Sequence, residues 1–267
     1  MKNSIICLAL VTGLSLGLTG CLKPSLHSMG SNLMPVPVQH RTAENSTESE
    51  FSVATSGFVE GAFEATNVKK VVAAGGDVSA TYRLGGVVSP LFFNAAVGGF
   101  GGRLKFDCTE DKCGEGKKDF KKYEEWLETS EAHEHYNFWE IQERLMVGAD
   151  FSVGSYVLLG LAGGVQLYQG GGSYDDKRSE LDDIRAIDRT EDDYGLATVV
   201  SLWIGFRLGA NGKYGTITEQ LDNIGGNGVE MNQSSKLTYT HPSGFFGGFA
   251  LESKLDAGVY FGKNFVF

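Results

Sequence analysis

No part of the chain limits the possible folds more than Tyr194 to Leu208, in the sequence YGLATVVSLWIGFRL. Its even positions hold Tyr194, Leu196, Thr198, Val200, Leu202, Ile204, Phe206 and Leu208. Gly195, Ala197, Val199, Ser201, Trp203, Gly205 and Arg207 hold the odd ones. A strand sends successive side chains to opposite faces, so one face here is almost wholly apolar and the other small or polar. The run is far longer than the usual strand of about 5 or 6 residues. It suits a tilted strand crossing a bilayer, which needs about 9–11 residues in the hydrocarbon.

The same two-faced pattern recurs along the chain. Phe51, Val53 and Val59 oppose Ser52, Ser56 and Glu60; Val72, Ala74, Val78, Ala80 and Tyr82 oppose Asp77, Ser79, Thr81 and Arg83. From Leu91 the apolar parity is odd, but beyond Gly98-Gly99 and Gly101-Gly102 it becomes even at Phe100, Leu104 and Phe106. That switch predicts a bulge that turns Arg103 and Lys105 away from the apolar face. Between Asn137 and Val153, Trp139, Ile141, Leu145, Val147, Phe151 and Val153 share a side with one charge, Glu143, which is expected near a headgroup rim. Val157 to Leu167 alternates likewise, Tyr214 to Ile224 does so more weakly, and Phe245 to Phe267 runs without interruption. A hairpin or bend near Ser253 to Asp256 would shorten that last run.

These runs predict an all-β protein, an antiparallel up-and-down transmembrane barrel of eight strands, with ten as the alternative count. Short links at Gly85 to Ser89, Gly154-Ser155 and Asn211-Gly212 alternate with long ones at Asp107 to Tyr136, Gly171 to Asp193 and Gly225 to Ser243, as in membrane barrels. A short helix is expected in the first long loop, where Phe120, Tyr123 and Leu127 recur at helical spacing. With 37 Gly, 5 Pro and 11% aromatics, the composition suits strands and turns better than a helical bundle. The last strand ends in Phe267 behind alternating apolar residues, which resembles the C-terminal signal of bacterial outer-membrane barrels. Lys263 departs from that pattern, and Leu255 to Phe261 follows it. The competing fold, a soluble lipid-anchored β-sandwich or lipocalin-like barrel, would alternate in the same way with its apolar face inward. Strand length counts against it, as do Trp139, Phe151, Tyr194 and Phe206 near strand ends, where interfacial aromatics sit.

The N-terminus reads as a targeting segment. Lys2 precedes an apolar core from Ile5 to Leu18, which ends in Leu18-Thr19-Gly20-Cys21. This resembles the lipobox of bacterial lipoproteins, a resemblance limited to the first 21 residues. It implies cleavage before Cys21 and lipid attachment at that cysteine, with residues 1–20 the signal peptide. Leu22 and Lys23 follow, without an Asp at the second mature position, a pattern associated with sorting to the outer membrane. Residues 21–50, rich in Ser, Asn and Thr around Pro35-Val36-Pro37, are expected to form a flexible periplasmic tether, and residues 51–267 the barrel. The expected location is therefore the outer membrane of a Gram-negative bacterium, loops outward.

Chemistry-bearing residues are few. The polar faces direct Arg83, Arg103, Lys105, Glu140, Arg144, Asp150, Arg207, Glu252 and Lys254 toward the lumen. In a barrel just wide enough for side chains to fill it, acids and bases there are expected to pair into a plug. Cys108 and Cys113, in CTEDKC within a loop of an exported chain, are expected to form a disulfide. His133 and His135, beside Glu131, are the candidate zinc or copper ligands, although such clusters are ordinarily solvated loop. Residues 173–193 are densely acidic and could bridge divalent cations to surface polysaccharide, or simply keep a loop soluble. A net charge of −10 without a basic stripe argues against nucleic acid as a partner. No GxSxG, P-loop, HExxH or paired zinc motif is present, and no cofactor is expected. The reading is a non-catalytic outer-membrane barrel lipoprotein with a structural or surface-interaction role. A small porin or solute channel is one alternative, and a lipid-modifying barrel enzyme, for which His241 would be the residue to test, is another.

Overall fold

The computed structural model describes residues 48–62, 68–106, 125–126, 128–131, 134–183, 194–226, 229–252 and 257–267. Ten antiparallel strands follow in chain order: β1 (Glu50–Ala62), β2 (Val68–Arg83), β3 (Leu91–Phe106), β4 (Tyr136–Val153), β5 (Val157–Gly171), β6 (Tyr194–Arg207), β7 (Thr216–Gly226), β8 (Val229–Thr240), β9 (Phe245–Glu252) and β10 (Ala257–Val266). Each pairs with the next, and β10 pairs back onto β1, for example Val59 opposite Val259, so the sheet is a closed barrel. Closure removes both edges, the condition a sheet must meet to sit in hydrocarbon.

The expected count of eight strands is corrected to ten. Gly225 to Ser243 is not a loop; it carries β8, in which Leu237 and Tyr239 point outward between Lys236, Thr238 and Thr240. Phe245 to Phe267 is not one strand but two, β9 and β10, in register with Ala257 opposite Leu251.

The short turns lie at one rim together with the start of β1 and the end of β10. Gly154 (φ 62°) and the pair Asn211 (φ 54°) and Gly212 (φ 76°) supply the left-handed backbone that two of these turns need. The long loops leave from the other rim. One begins with helix α1 (Ser173–Asp183), Ser173 Oγ accepting a hydrogen bond from the Asn137 backbone at 2.9 Å. The expected helix was placed in the preceding loop; there residues 125–126 are helical, and residues 107–124 lie outside the described residues.

The faces follow the alternation. On β6 the even residues face out, with Tyr194, Leu196, Val200 and Leu202 exposed, and Ala197, Val199, Ser201, Trp203 and Arg207 are buried inside. β4 turns Trp139, Ile141, Leu145, Val147, Phe151 and Val153 outward. Between Trp139 and Phe151 the strand covers about 31 Å along the barrel axis, from about 3.4 Å per residue at a tilt near 40°, a span close to a hydrocarbon core. Glu143 also faces out, but four positions from Trp139 puts it about 10 Å inside that aromatic level and not at the expected rim.

The apolar exterior is therefore the inverse of a lipocalin-like barrel, and the closed single sheet excludes a sandwich. The bulge expected at Gly98 to Gly102 is absent. Pairing runs unbroken from Lys70–Lys105 to Arg83–Phe92, so Phe100 and Leu104 point into the lumen and Arg103 points out.

Candidate functional site

The lumen is the only enclosed space that a closed sheet of this kind creates, and inward side chains fill it. Near the short-turn rim Arg83 donates to Asp150 at 2.6 Å, approaches Glu50 at 3.7 Å and lies 5.2 Å over the Phe92 ring. Beside them Arg207 donates to Ser152 Oγ at 2.9 Å. Charges placed this way across β1, β2, β4 and β6 tie four strands together through their side chains.

The middle of the barrel holds a second group. Lys236, fully buried, meets Asp222 at 2.5 Å, and Asp222 also accepts from Gln220 at 2.8 Å and from Ser201. Arg144 is 2% exposed and lies within the fields of Asp222 and Asp77. Asp77 in turn accepts from Ser56, and Glu140 accepts from Gln142 at 2.5 Å. Burying an ion costs several kcal/mol in real proteins, and only opposite charge with additional hydrogen bonds offsets that. Asp222 and Asp77 have both kinds of partner, and Glu140 has the Gln142 amide.

Toward the long-loop rim the filling becomes aromatic. Phe58, Phe100 and Phe138 stack in sequence there, with ring centroids 6.3 and 6.2 Å apart, while nearer the short-turn rim Phe92 meets Trp203 at 6.0 Å. These rings fit because inward glycines leave room on the neighbouring strand. A Cβ on Gly160 would come 2.1 Å from the Trp203 indole, and one on Gly148 would come 2.3 Å from Phe92. Trp126, Tyr136 and Tyr174 are buried at the mouth itself. Outside them Lys177 of α1 bridges Glu180 at 2.9 Å and Glu131 at 3.3 Å, and those two carboxylates hold its ammonium pKa above the usual lysine value.

Of the residues read from the sequence as a lumen network, Arg83, Glu140, Arg144, Asp150 and Arg207 are brought together inside. Arg103 is not; it is exposed on the outer face, and Lys105 shares that face. The Glu252 side chain, Lys254, Cys21, Cys108, Cys113 and His133 lie outside the described residues. His135 is exposed, and among the described residues no group of three or more His, Cys, Asp or Glu is placed to hold a metal. Of the acidic stretch 173–193, α1 accounts for the first half; residues 184–193 lie outside the described residues.

Sequence reasoning missed Lys236 and Asp222, the centre of the middle group. The signal for Lys236 was the alternation KLTYT over 236–240, concealed by the polar residues before it. His241 sits in the β8–β9 turn, where its Nδ1 lies 2.7 Å from Ser243 Oγ and accepts from the Ser243 backbone at 3.2 Å. That contact staples a turn.

An antiparallel closed barrel, apolar outside and charged within, is the class these features define. No protein-family model matches the sequence, and no curated protein matches it. Among solved structures, an outer membrane channel from Pseudomonas putida F1 aligns over 87% of this chain and 100% of its own, at 8% identity and a TM-score of 0.40. OprG from Pseudomonas aeruginosa aligns over 82% and 96%, at 8% identity and 0.36. The β domain of the Bordetella autotransporter BrkA aligns over 82% and 100%, at 11% identity and 0.37.

Proposed function

We propose that this chain is an outer-membrane β-barrel lipoprotein of a Gram-negative bacterium, with a structural or surface-interaction role and a closed lumen. Its signal peptide is cleaved before Cys21, which carries the lipid, and the long loops face outward. The observation that carries the closed-lumen reading is the burial of Arg83, Arg144 and Lys236 at 2% exposure or less, with acids beside them and three aromatic side chains buried at the mouth. The outward apolar band between Trp139 and Phe151 supports the membrane setting. The barrel works as a rigid support for its loops, among which the acidic stretch 173–193 is the candidate contact for divalent cations bridging surface polysaccharide. Catalysis is not part of this reading, since His241 serves a turn.

The test is conductance. Purified folded protein in a planar bilayer is expected to show no steady current, and a stable open channel would overturn the plug. A small channel remains the second reading for one reason: the strand count is ten rather than eight, which widens the barrel. Heat-modifiable gel migration in outer-membrane fractions tests the barrel in place; a protein that shows no shift and is fully released by delipidation refutes it.

A further inference from the structure

The exterior of β7 and β8 departs from the rest of the wall. Glu219, Leu221 and Asn223 face outward on β7, and Gln233, Ser235 and Leu237 on β8, so four polar side chains stand side by side. Their depth follows from the register. Outward Tyr194 and Phe206 mark the two ends of β6, and Val200 lies midway between them. Asn223 is opposite Val200, and Gln233 is opposite Asn223; Ser235 is opposite Leu221, and Glu219 is opposite Ile204. At a tilt near 40° each step to the next strand climbs about 3 Å, so the four polar residues stay within about 8 Å of the middle of the hydrocarbon. Glu219 is 4% exposed, against 50% for Leu202 on the neighbouring strand, and its carboxylate accepts from Ser235 Oγ at 3.3 Å. Elsewhere between the aromatic ends, the described exterior has Thr55 beside Lys263, and Glu143 and Gln169 each among apolar neighbours.

We propose that this face is where a second copy of the chain docks, side by side in the membrane, about a two-fold axis along the β7–β8 seam. Such an axis, parallel to the membrane normal, exchanges the two sides of the seam and preserves depth, so β7 of each copy lies over β8 of the other. Asn223 of each copy is thereby brought to the level of Gln233 and Ser235 of the second copy, within about 3 Å in height. A carboxamide both donates and accepts, so the contact is self-complementary and forms twice. Acyl chains offer neither a donor nor an acceptor. Leu221 and Leu237 meet at the next level down and supply close packing, which together with interchain hydrogen bonds drives association in lipid. Glu143, flanked by Val97 and Leu167, has no polar counterpart on an adjacent strand. This docking rests on the membrane setting proposed above.

Full-length protein extracted from outer membranes, fluorescently labelled and diluted into phosphatidylcholine vesicles, is counted per particle by single-molecule photobleaching. Wild type is expected to form dimers. Asn223→Leu/Gln233→Leu, which suits the face to lipid, is expected to weaken dimerisation about tenfold, about threefold for each symmetric contact. Glu143→Leu leaves it unchanged. Heat-modifiable migration verifies that each variant is folded; its absence in wild type overturns the membrane setting rather than the docking face. Wild type that is monomeric at every dilution overturns the proposal, as does a double variant as dimeric as wild type. A photo-crosslinking amino acid at position 237, tested in intact cells on the otherwise unaltered chain, identifies the occupant directly. An adduct of twice the chain's mass that yields peptides of this chain alone supports the second copy, provided position 145 gives none. An adduct with a different protein, or with lipid only, overturns it.

Discussion

Removing the Asp222 carboxylate is the sharpest test of the packed lumen. Asp222→Ala leaves Lys236 fully buried without the acid that stood 2.5 Å from it. It also takes an acceptor from Gln220 and Ser201, and an opposite charge from the neighbourhood of Arg144. Breaking a buried pair by deleting one partner costs about 3–5 kcal/mol, because the remaining charge has lost its compensation. Lys236→Met is milder, since Asp222 keeps Ser201, Gln220 and the Arg144 field; about 2 kcal/mol is expected, the loss of one charge-assisted bond. The double variant Asp222→Ala/Lys236→Met removes both ions and is expected to cost less than Asp222→Ala alone, leaving a coupling of about 2 kcal/mol or more. Urea unfolding of the folded barrel in vesicles, followed through tryptophan fluorescence, gives all three values, with the buried Trp203 as an internal reporter. A cost below about 1 kcal/mol for Asp222→Ala, or strict additivity in the cycle, would mean that water reaches the pair and the lumen is open.

Further expectations follow from the same packing. Gly160→Val drives a Cβ into the Trp203 indole and is expected to cost about 2–4 kcal/mol, whereas Gly163→Val, whose Cβ would meet nothing closer than the Val199 carbonyl at 3.9 Å, stays within about 0.5 kcal/mol. Comparable unfolding midpoints for the two would contradict the account of inward rings resting on glycines. Widening the mouth and the middle together, by Tyr174→Ala with Arg144→Ala, is expected to raise planar-bilayer conductance above that of wild type; no increase would place the seal elsewhere. The Lys177 clip follows the sign of its shift. A raised ammonium pKa gives a contribution fully present below the ordinary value of 10.5 and lost as pH climbs through the higher folded value. Proteolysis next to α1 should therefore be unchanged across neutral pH and increase only in strong alkali; an increase between pH 6 and 9 would refute the assignment.

Parity arguments explain which strands could be read in the sequence. In an antiparallel pair, directly opposite residues face the same side, so a turn preserves or flips the outward parity according to its register. At β1–β2, β2–β3, β5–β6 and β6–β7 the register joins odd positions to even ones, for example Val157 to Phe206, and the parity change announces a new strand. At β9–β10 the register joins Leu251 to Ala257, odd to odd, and the alternation passes through the turn unmarked. Two strands therefore read as one long run. β8 was concealed for a different reason. Ser234 and Ser235 are small, and among the described residues of its exterior Leu237 and Tyr239 are the large apolar ones. The apparent bulge in β3 arose from aromatics on the wrong face, since Phe100 serves a ring stack inside the barrel, which alternation alone does not distinguish from a lipid-facing side chain. Lumen residues on strongly alternating strands, such as Arg144 and Asp150, were legible. Their partners across the barrel were not, because register between distant strands is a three-dimensional property.

The seam between the first and last strands governs how such a chain can be made. Ser52 pairs with Val266, and the Phe267 amide donates to the Phe51 carbonyl at 2.9 Å, so the bonds that complete the wall join the first strand of the barrel to its last. Until β10 reaches β1, the sheet carries two open strand edges and a greasy exterior. Contacts this far apart in sequence are slow to form and leave the precursor prone to aggregate. Closure of the seam is consequently expected to be the committed, late event of folding. A crosslink introduced between positions 59 and 259 would report the moment at which it occurs.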